Sequence, residues 1–288
     1  MSKYKAHGLV LIAAVLWGLT FPLNKIALNY LQPEHLGFLR YFFAAIIMLS
    51  YVKFSKRNMK VTKKQLGLIL YTGALAFFGY AYFEVKSMSY LSSGVVSLFL
   101  GLIPVISITI EILLKRRQLK IRTVAVIVLA AVGVYLVIRE EISLGGSIIG
   151  YIFILMAVSA WIIYLFKAVE IDADPFVIVA YQFAFAAVIH GGVFLTKINE
   201  PILVTPTLVA IIVYLVIFST VIGYLFYYLA ARILGAGIVT IYENLIFIVG
   251  FVSSALYFKS SITPVIWISF ALILASISLS LTLDVQKH

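Results

Sequence analysis

Seven ionisable side chains lie within or at the edge of long apolar runs: Lys25, Arg40, Glu84, Lys86, Glu111, His190 and Glu243. A charge at membrane depth costs about 2.5–3.5 kcal/mol on insertion scales, so such a group is paired, faces a wet cavity or serves a function. Glu243, between Tyr242 and Asn244, carries the most chemistry. A carboxylate there can hold a substrate ammonium, pair with Lys25 or Arg40, or carry a proton. His190 precedes Gly191-Gly192 and is either a second candidate proton carrier or a helix-packing hydrogen bonder. Glu111 stands one turn before Lys115, a spacing that suits an ion pair. Lys25 and Arg40 lie toward one end of their runs, where long side chains snorkel, and are expected to be gating or structural charges together with Glu111. Glu84 and Lys86 pair locally or are solvated.

Aromatic residues crowd two of the runs. Phe77, Phe78, Tyr80, Tyr82 and Phe83 fall in one, and Phe218, Tyr224, Phe226, Tyr227 and Tyr228 in the other. A tyrosine ring gives apolar area while its hydroxyl seeks a partner, which suits a cavity for amphipathic organic molecules. The same residues also suit an interfacial belt. Trp17 and Trp161 sit deeper and are the better cavity candidates. The expected substrate-binding set is Trp17, Phe78, Tyr82, Ser97 and Trp161, with Tyr164, Tyr224, Tyr242, Glu243 and Asn244.

The elements that must position these groups follow from composition. Of 288 residues, 64% are hydrophobic and 11% charged, far from the roughly 25% charged of a soluble domain. The chain reads as an all-α integral membrane protein. At about 20 residues per spanning helix, apolar runs near 8–29, 34–52, 66–86, 92–114, 121–138, 147–168, 176–196, 207–230, 236–258 and 263–283 give ten transmembrane helices. The segments between them leave no room for a soluble catalytic domain. Lys3 and Lys5 precede the first run, which is longer than a signal h-region and is expected to be a span. With no cysteine, disulfides, Cys-type zinc sites and thiol catalysis are excluded.

The net charge of +11 would suggest nucleic acid for a soluble protein. Here most of it is topological. With both termini inside, 16 of the 22 Lys and Arg residues fall on the cytoplasmic side and 4 outside, so the positive-inside rule favours cytoplasmic termini in the plasma (inner) membrane. The lipid bilayer is therefore the first partner and nucleic acid is not one. No cofactor or metal is expected.

The chain also repeats itself. Trp17 falls on Trp161 at an offset of 144, Pro33 to Ala45 on Pro175 to Ala187 at 142 with Arg40 meeting Gln182, and Gly94-Val95-Val96-Ser97 on Gly237-Ile238-Val239-Thr240 at 143. Two five-helix units, 1–143 and 144–288, follow. Five is odd, so the second unit is inverted relative to the first, a plan common in secondary transporters with a midplane site between the repeats. Pro22 and Pro104 fall inside spans and are expected to break them. Glycine and serine on spans four and nine, among them Gly101, Gly250, Ser253 and Ser254, are expected to permit close helix approach.

Leu16-Trp17-Gly18, Phe21 and Lys25 in the first span, then Pro33 and Leu39-Arg40-Tyr41-Phe42-Phe43-Ala44-Ala45, resemble the opening of EamA-type exporters in the drug/metabolite transporter superfamily. Pro104, Gly133 and the doubled five-helix plan extend that resemblance over the chain. It departs where the family's fourth helix closes on a Leu-Gly-Glu turn, since Arg117 and Ser260 hold the two glutamate positions and Phe247 replaces the second proline. The resemblance implies a secondary transporter that exports small organic metabolites; the inverted repeat points to alternating access, the repeat within one chain to a monomer, and the lining of Trp and Tyr with Glu243, Asn244 and small hydroxyls to amino acids or similar amphipathic molecules. Protons are a candidate coupling ion. The alternative is a proton antiporter of drugs or quaternary amines, and more remotely an intramembrane enzyme or a scaffold. The enzyme reading lacks groups at depth, because Asp172, Asp174 and Asp284 all lie in a loop or near the C-terminus.

Overall fold

The computed structural model describes residues 2–113, 121–168, 170–259 and 263–285. Among the described residues the regular structure is entirely helical. The first half comprises α1 (Lys3–Gly18), α2 (Thr20–Ala27), α3 (Pro33–Phe54), α4 (Lys63–Gly73), a π-helical segment at Ala74–Tyr80, α5 (Ala81–Ser87), α6 (Ser93–Leu100), α7 (Ile103–Leu113) and α8 (Ile121–Ser143). The second comprises α9 (Ile148–Ala168), α10 (Pro175–Leu195), α11 (Pro206–Val213), a second π-helical segment at Tyr214–Ile222, α12 (Gly223–Leu234), α13 (Ala236–Tyr257) and α14 (Pro264–Val285).

Among the described residues, seven stretches are long and apolar enough to cross a bilayer: Lys3–Ala27, Pro33–Phe54, Lys63–Ser87, Ile121–Ser143, Ile148–Ala168, Pro175–Leu195 and Pro206–Leu234. Ile241–Tyr257 and Pro264–Leu279 are shorter apolar helices. The expected fourth span is divided into α6 and α7, each too short to cross alone, so the ten-span expectation is met in part. Val128, Ile152, Val188 and Ile268 are each more than half exposed, a distribution that suits lipid rather than water.

Two of the breaks are proline arithmetic. Pro22 has no N–H to offer the carbonyl four residues back, which belongs to Gly18, and α1 ends at Gly18. Pro104 stands in the same relation to Leu100, where α6 ends. Between α12 and α13 the turn is Gly235 alone, with φ of 84°, a left-handed conformation that glycine adopts without a Cβ penalty. The apolar runs 207–230 and 236–258 predict a turn of five residues there.

Packing follows the repeat. α3 lies against α10 and α8 against α14, each helix facing its own repeat equivalent, while α1 packs on α12 and α13 as α9 packs on α5 and the first π segment. One buried core draws on α6, α8, α9 and α13, with Ile266, Ile273 and Ile277 of α14. A second joins α3, both π segments and α10. Lipid tails are as apolar as leucine, so close contact rather than hydrophobic exclusion must hold these helices. Small residues provide it. A Cβ added at Gly250 would stand 2.5 Å from the Phe21 ring, and one at Gly101 would stand 3.0 Å from Phe247. Ser93 donates to Ser254 at 2.9 Å across the α6–α13 contact.

Each end of the bundle is clasped. At one end Arg57 donates to Asp174, the N-cap of α10, at 2.7 Å and lies 3.8 Å over the Phe176 ring, while Gln65 reaches the Asp172 carbonyl. At the other, Leu203 N–H donates to the Tyr30 carbonyl at 2.8 Å and His35 Nε2 to the Lys197 carbonyl at 2.8 Å.

Candidate functional site

Trp17 packs on Tyr224 with ring centroids 4.8 Å apart, and Trp161 packs on Tyr80 at 4.9 Å. The offset of 144 that carries Trp17 onto Trp161 also carries Tyr80 onto Tyr224. The two pairs are therefore one contact made twice, each between the first helix of one repeat and the third of the other. Gly79 and Gly223, again 144 apart, precede the two tyrosines and allow the approach. A Cβ at Gly223 would stand 2.6 Å from Trp17 Nε1, and one at Gly79 would stand 3.0 Å from Ala160.

The tyrosines end or follow the π-helical segments. Wider i→i+5 turns occur mostly as short bulges at functional sites, and here each holds a carbonyl that a side chain from another helix engages. Trp17 Nε1 donates to the Ser219 carbonyl at 2.8 Å, and His190 Nε2 to the Phe77 carbonyl at 2.9 Å. Phe77 offers only an acceptor, so Nε2 carries a hydrogen. Nδ1 is buried without a partner. Thr220 Oγ1 donates to the Leu215 carbonyl five residues back at 2.7 Å, which reinforces the π register.

A second repeat-related contact is polar. Arg40 Nε donates to Thr220 Oγ1 at 2.7 Å and Nη2 to Ser219 Oγ at 3.1 Å. Its repeat equivalent Gln182 donates Nε2 to Thr72 Oγ1 at 2.9 Å. Each repeat thus reaches from its second helix to the third helix of the other, once with a cation and once with a neutral amide. Arg40, Tyr41, Tyr82 and His190 border a narrow cleft beside Leu36 and Gly37, with room for about one water.

Glu243 on α13 accepts from Tyr227 at 2.7 Å and adjoins Trp161. Tyr227 packs on Trp17 at 5.3 Å, Trp161 packs on Tyr164 at 4.9 Å, and the hydroxyls of Tyr164 and Tyr228 are 3.1 Å apart. Trp17, Trp161, Tyr164, Tyr224 and Glu243 are thereby brought into one cluster, with Tyr227, Tyr228 and Tyr80 added to them. The carboxylate pairs with neither Lys25 nor Arg40.

The other expected site residues lie elsewhere. Phe78 stacks on Tyr82 at 5.2 Å, and Tyr82 donates to Glu34 at 2.8 Å beside the Lys86–Glu34 ion pair of 2.7 Å. Ser97 is buried and donates to the Gly94 carbonyl at 2.7 Å, in the contact between α6 and α13. Tyr242 hydrogen-bonds His7 Nδ1 at 2.8 Å, and Asn244 donates to the Ile241 carbonyl of its own helix at 3.0 Å. Lys25 donates to the carbonyls of Met88 at 2.5 Å and Leu91 at 3.0 Å. Glu111 falls in α7, but its side chain and the expected partner Lys115 lie outside the described residues, as do Arg117 and Ser260.

Three polar groups escaped the sequence reading. Glu141 accepts from Ser92 N at 2.5 Å and Ser92 Oγ at 3.1 Å, at the head of α6. Glu34 follows Pro33 at the edge of its span, where a carboxylate reads as solvated, yet it is buried under Tyr82 and Lys86. Asn24, a neutral side chain without charge to mark it in the sequence, is fully buried on α2.

Comparison with known proteins agrees with this architecture. The EamA-like transporter family matches residues 5–139 and again 148–282, one match per repeat. An uncharacterized transporter of Bacillus subtilis (strain 168), YrdR, is 29% identical over 164 residues, which is 54% of this chain and 51% of that protein, so the match spans about half its length. A crystal structure 15% identical in sequence aligns over 98% of this chain and 100% of its own with a TM-score of 0.64, a likeness of fold.

Proposed function

This chain belongs to the EamA-like transporter family, and from that premise we propose that it moves a small amphipathic amine, an amino acid or a similar metabolite, across the plasma (inner) membrane. The chain is a multi-pass membrane protein. In this reading it crosses ten times as two inverted five-helix repeats, 1–143 and 144–288, with both termini cytoplasmic. It works as a monomer by alternating access and exports its substrate. The observation that carries the reading is the Glu243 cluster. A half-buried carboxylate is bounded by two repeat-related tryptophans and by Tyr164, Tyr224, Tyr227 and Tyr228, from both repeats. Aromatic faces attract an ammonium or quaternary nitrogen by about 0.5–2 kcal/mol each, and the carboxylate supplies the countercharge. Trp17, Trp161, Tyr227 and Glu243 are only half-buried although they sit between helices. Residual exposure at such a place is what a lined space between repeats leaves.

The test is a thermal-shift screen of the purified protein against amino acids, choline-like amines and nucleosides. An amine is expected to stabilise the wild type, and the shift is expected to vanish in Trp17→Ala and Glu243→Ala. Stabilisation by nucleosides alone, or an amine shift that survives both variants, would remove the cluster from substrate binding. The same cage admits a quaternary amine. A choline-like hit without an amino-acid hit would select the antiporter reading.

A further inference from the structure

Away from Glu243, the half of the bundle around α2 and α5 encloses polar atoms that packing leaves without partners. Asn24 on α2 is 0% exposed, and neither atom of its side-chain amide has a hydrogen-bond partner. Glu84 on α5 is 3% exposed and its Oε1 is also unpartnered. The two side chains adjoin one another. Buried polar groups are nearly always paired, so two neighbours with three orphaned atoms between them need an explanation.

No neighbouring cation supplies one. The Tyr80 hydroxyl of the first π segment and the Asn24 amide stand beside the Glu84 carboxylate, and Arg40 and Tyr41 of α3 are within electrostatic reach of it. Arg40 could neutralise the carboxylate, yet Nε and Nη2 are directed to the hydroxyls of Thr220 and Ser219. Lys86, on the same helix, is paired with Glu34. Lys25, on the same helix as Asn24, is bound to the Met88 and Leu91 carbonyls. On α9, which packs against α5, Tyr151 adjoins Glu141, Tyr164 contacts Tyr228 and Lys167 pairs with Glu170. An ionised carboxylate with an unpaired oxygen in such a place is strongly disfavoured. A single proton resolves it, because Oε1 then becomes a donor and the Asn24 carbonyl oxygen an acceptor.

We propose that Asn24 and Glu84 form a proton-binding site, separate from the Glu243 cage, in which Glu84 is the neutral acid while Arg40 holds the second π segment. Loss of the proton to water leaves a carboxylate that draws the Arg40 guanidinium from Ser219 and Thr220. The link between the second helix of one repeat and the third helix of the other then opens. Arg40 is the positioning residue that converts protonation at one place into contact between repeats at another.

The test needs no substrate, so its failure is distinguishable from failure of the transport reading. Infrared difference spectra of the full chain in lipid vesicles, acid minus alkaline, report protonated carboxyl groups. One carbonyl component is expected to disappear in Glu84→Gln, to remain in Glu243→Gln whatever other component that variant removes, and to move to higher frequency in Asn24→Leu, where its hydrogen bond is lost. If Glu84→Gln fails to fold, Glu84→Asp keeps the acid and is expected to displace the band. A wild-type spectrum whose titrating carboxyl signal is untouched by changes at residue 84 overturns the proposal. That outcome is expected if a water or the Asn24 amide N–H satisfies an ionised Glu84. The chain has no native cysteine, so spin labels on an introduced pair can report the separation of α3 from the second π segment. That distance is expected to grow on alkalinisation in the wild type and to stay fixed in Glu84→Gln. An invariant distance in both overturns the role given to Arg40.

Discussion

Gly223→Ala tests whether the repeat-related tryptophan–tyrosine contacts are as tight as the geometry shows. Alanine gains up to about 1 kcal/mol over glycine in a helix. At Gly67 of α4 nothing lies within 4 Å of the added Cβ, so Gly67→Ala is expected to stabilise by up to that amount. At Gly223 the new methyl would stand 2.6 Å from Trp17 Nε1, with Trp17 Cδ1 at 3.3 Å. The indole must withdraw, and its hydrogen bond to the Ser219 carbonyl breaks. Overpacking costs about 1–3 kcal/mol and the lost hydrogen bond about 0.5–1.5 kcal/mol. Set against the helix gain, Gly223→Ala is expected to destabilise by about 1–3 kcal/mol. Gly79→Ala, its repeat equivalent, meets the Ala160 methyl at 3.0 Å and no hydrogen bond, so the two effects should nearly cancel. Unfolding in mixed detergent with increasing sodium dodecyl sulfate, monitored by tryptophan fluorescence, ranks the three variants. Gly223→Ala as stable as Gly67→Ala would refute the close Trp17–Ser219 approach and the symmetric contact with it.

Arg40→Leu and Gln182→Leu remove equivalent reaches between repeats and are expected to differ in cost. Gln182→Leu loses one neutral hydrogen bond to Thr72, about 1 kcal/mol, whereas Arg40→Leu loses two charge-assisted hydrogen bonds, to Thr220 and Ser219, and is expected to cost about 2–4 kcal/mol. Equal losses in the same denaturation assay would show that the charge of Arg40 adds nothing to its hydrogen bonds. Glu243→Gln, assayed in proteoliposomes with the amine identified by thermal shift, is expected to abolish proton-dependent transport while leaving counterflow. Unchanged pH dependence would exclude Glu243 as the proton carrier.

Much of the architecture was legible in the sequence because lipid imposes simple constraints. A backbone in hydrocarbon must satisfy itself by helices, so apolar run length located Pro33–Phe54 and Pro175–Leu195 nearly to the residue. The helix breaks were also local, since Pro22 and Pro104 disable a carbonyl four residues away in the same helix. The internal repeat, read from Trp17 and Trp161, anticipated which helices are equivalent. It could not say that Trp17 would meet Tyr224, because the partner lies on the other repeat and the match in sequence is silent about contact.

What only the tertiary structure decided is how each polar group is used. Tyr242 and Asn244 flank Glu243 in sequence, but a helix turns about 100° per residue, so neighbours point apart. One meets His7, another its own backbone, and only Glu243 meets Tyr227. Glu84 and Lys86, two residues apart, diverge for the same reason. Lys86 finds Glu34 across the bundle and Glu84 is buried against Asn24. The sequence by itself determined which stretches are long and apolar enough to cross a bilayer, because apolar run length is a local property. Which of them meet was decided by packing between helices far apart in the chain, where the direction each side chain faces depends on helix rotation and on the π-helical turns that reset it.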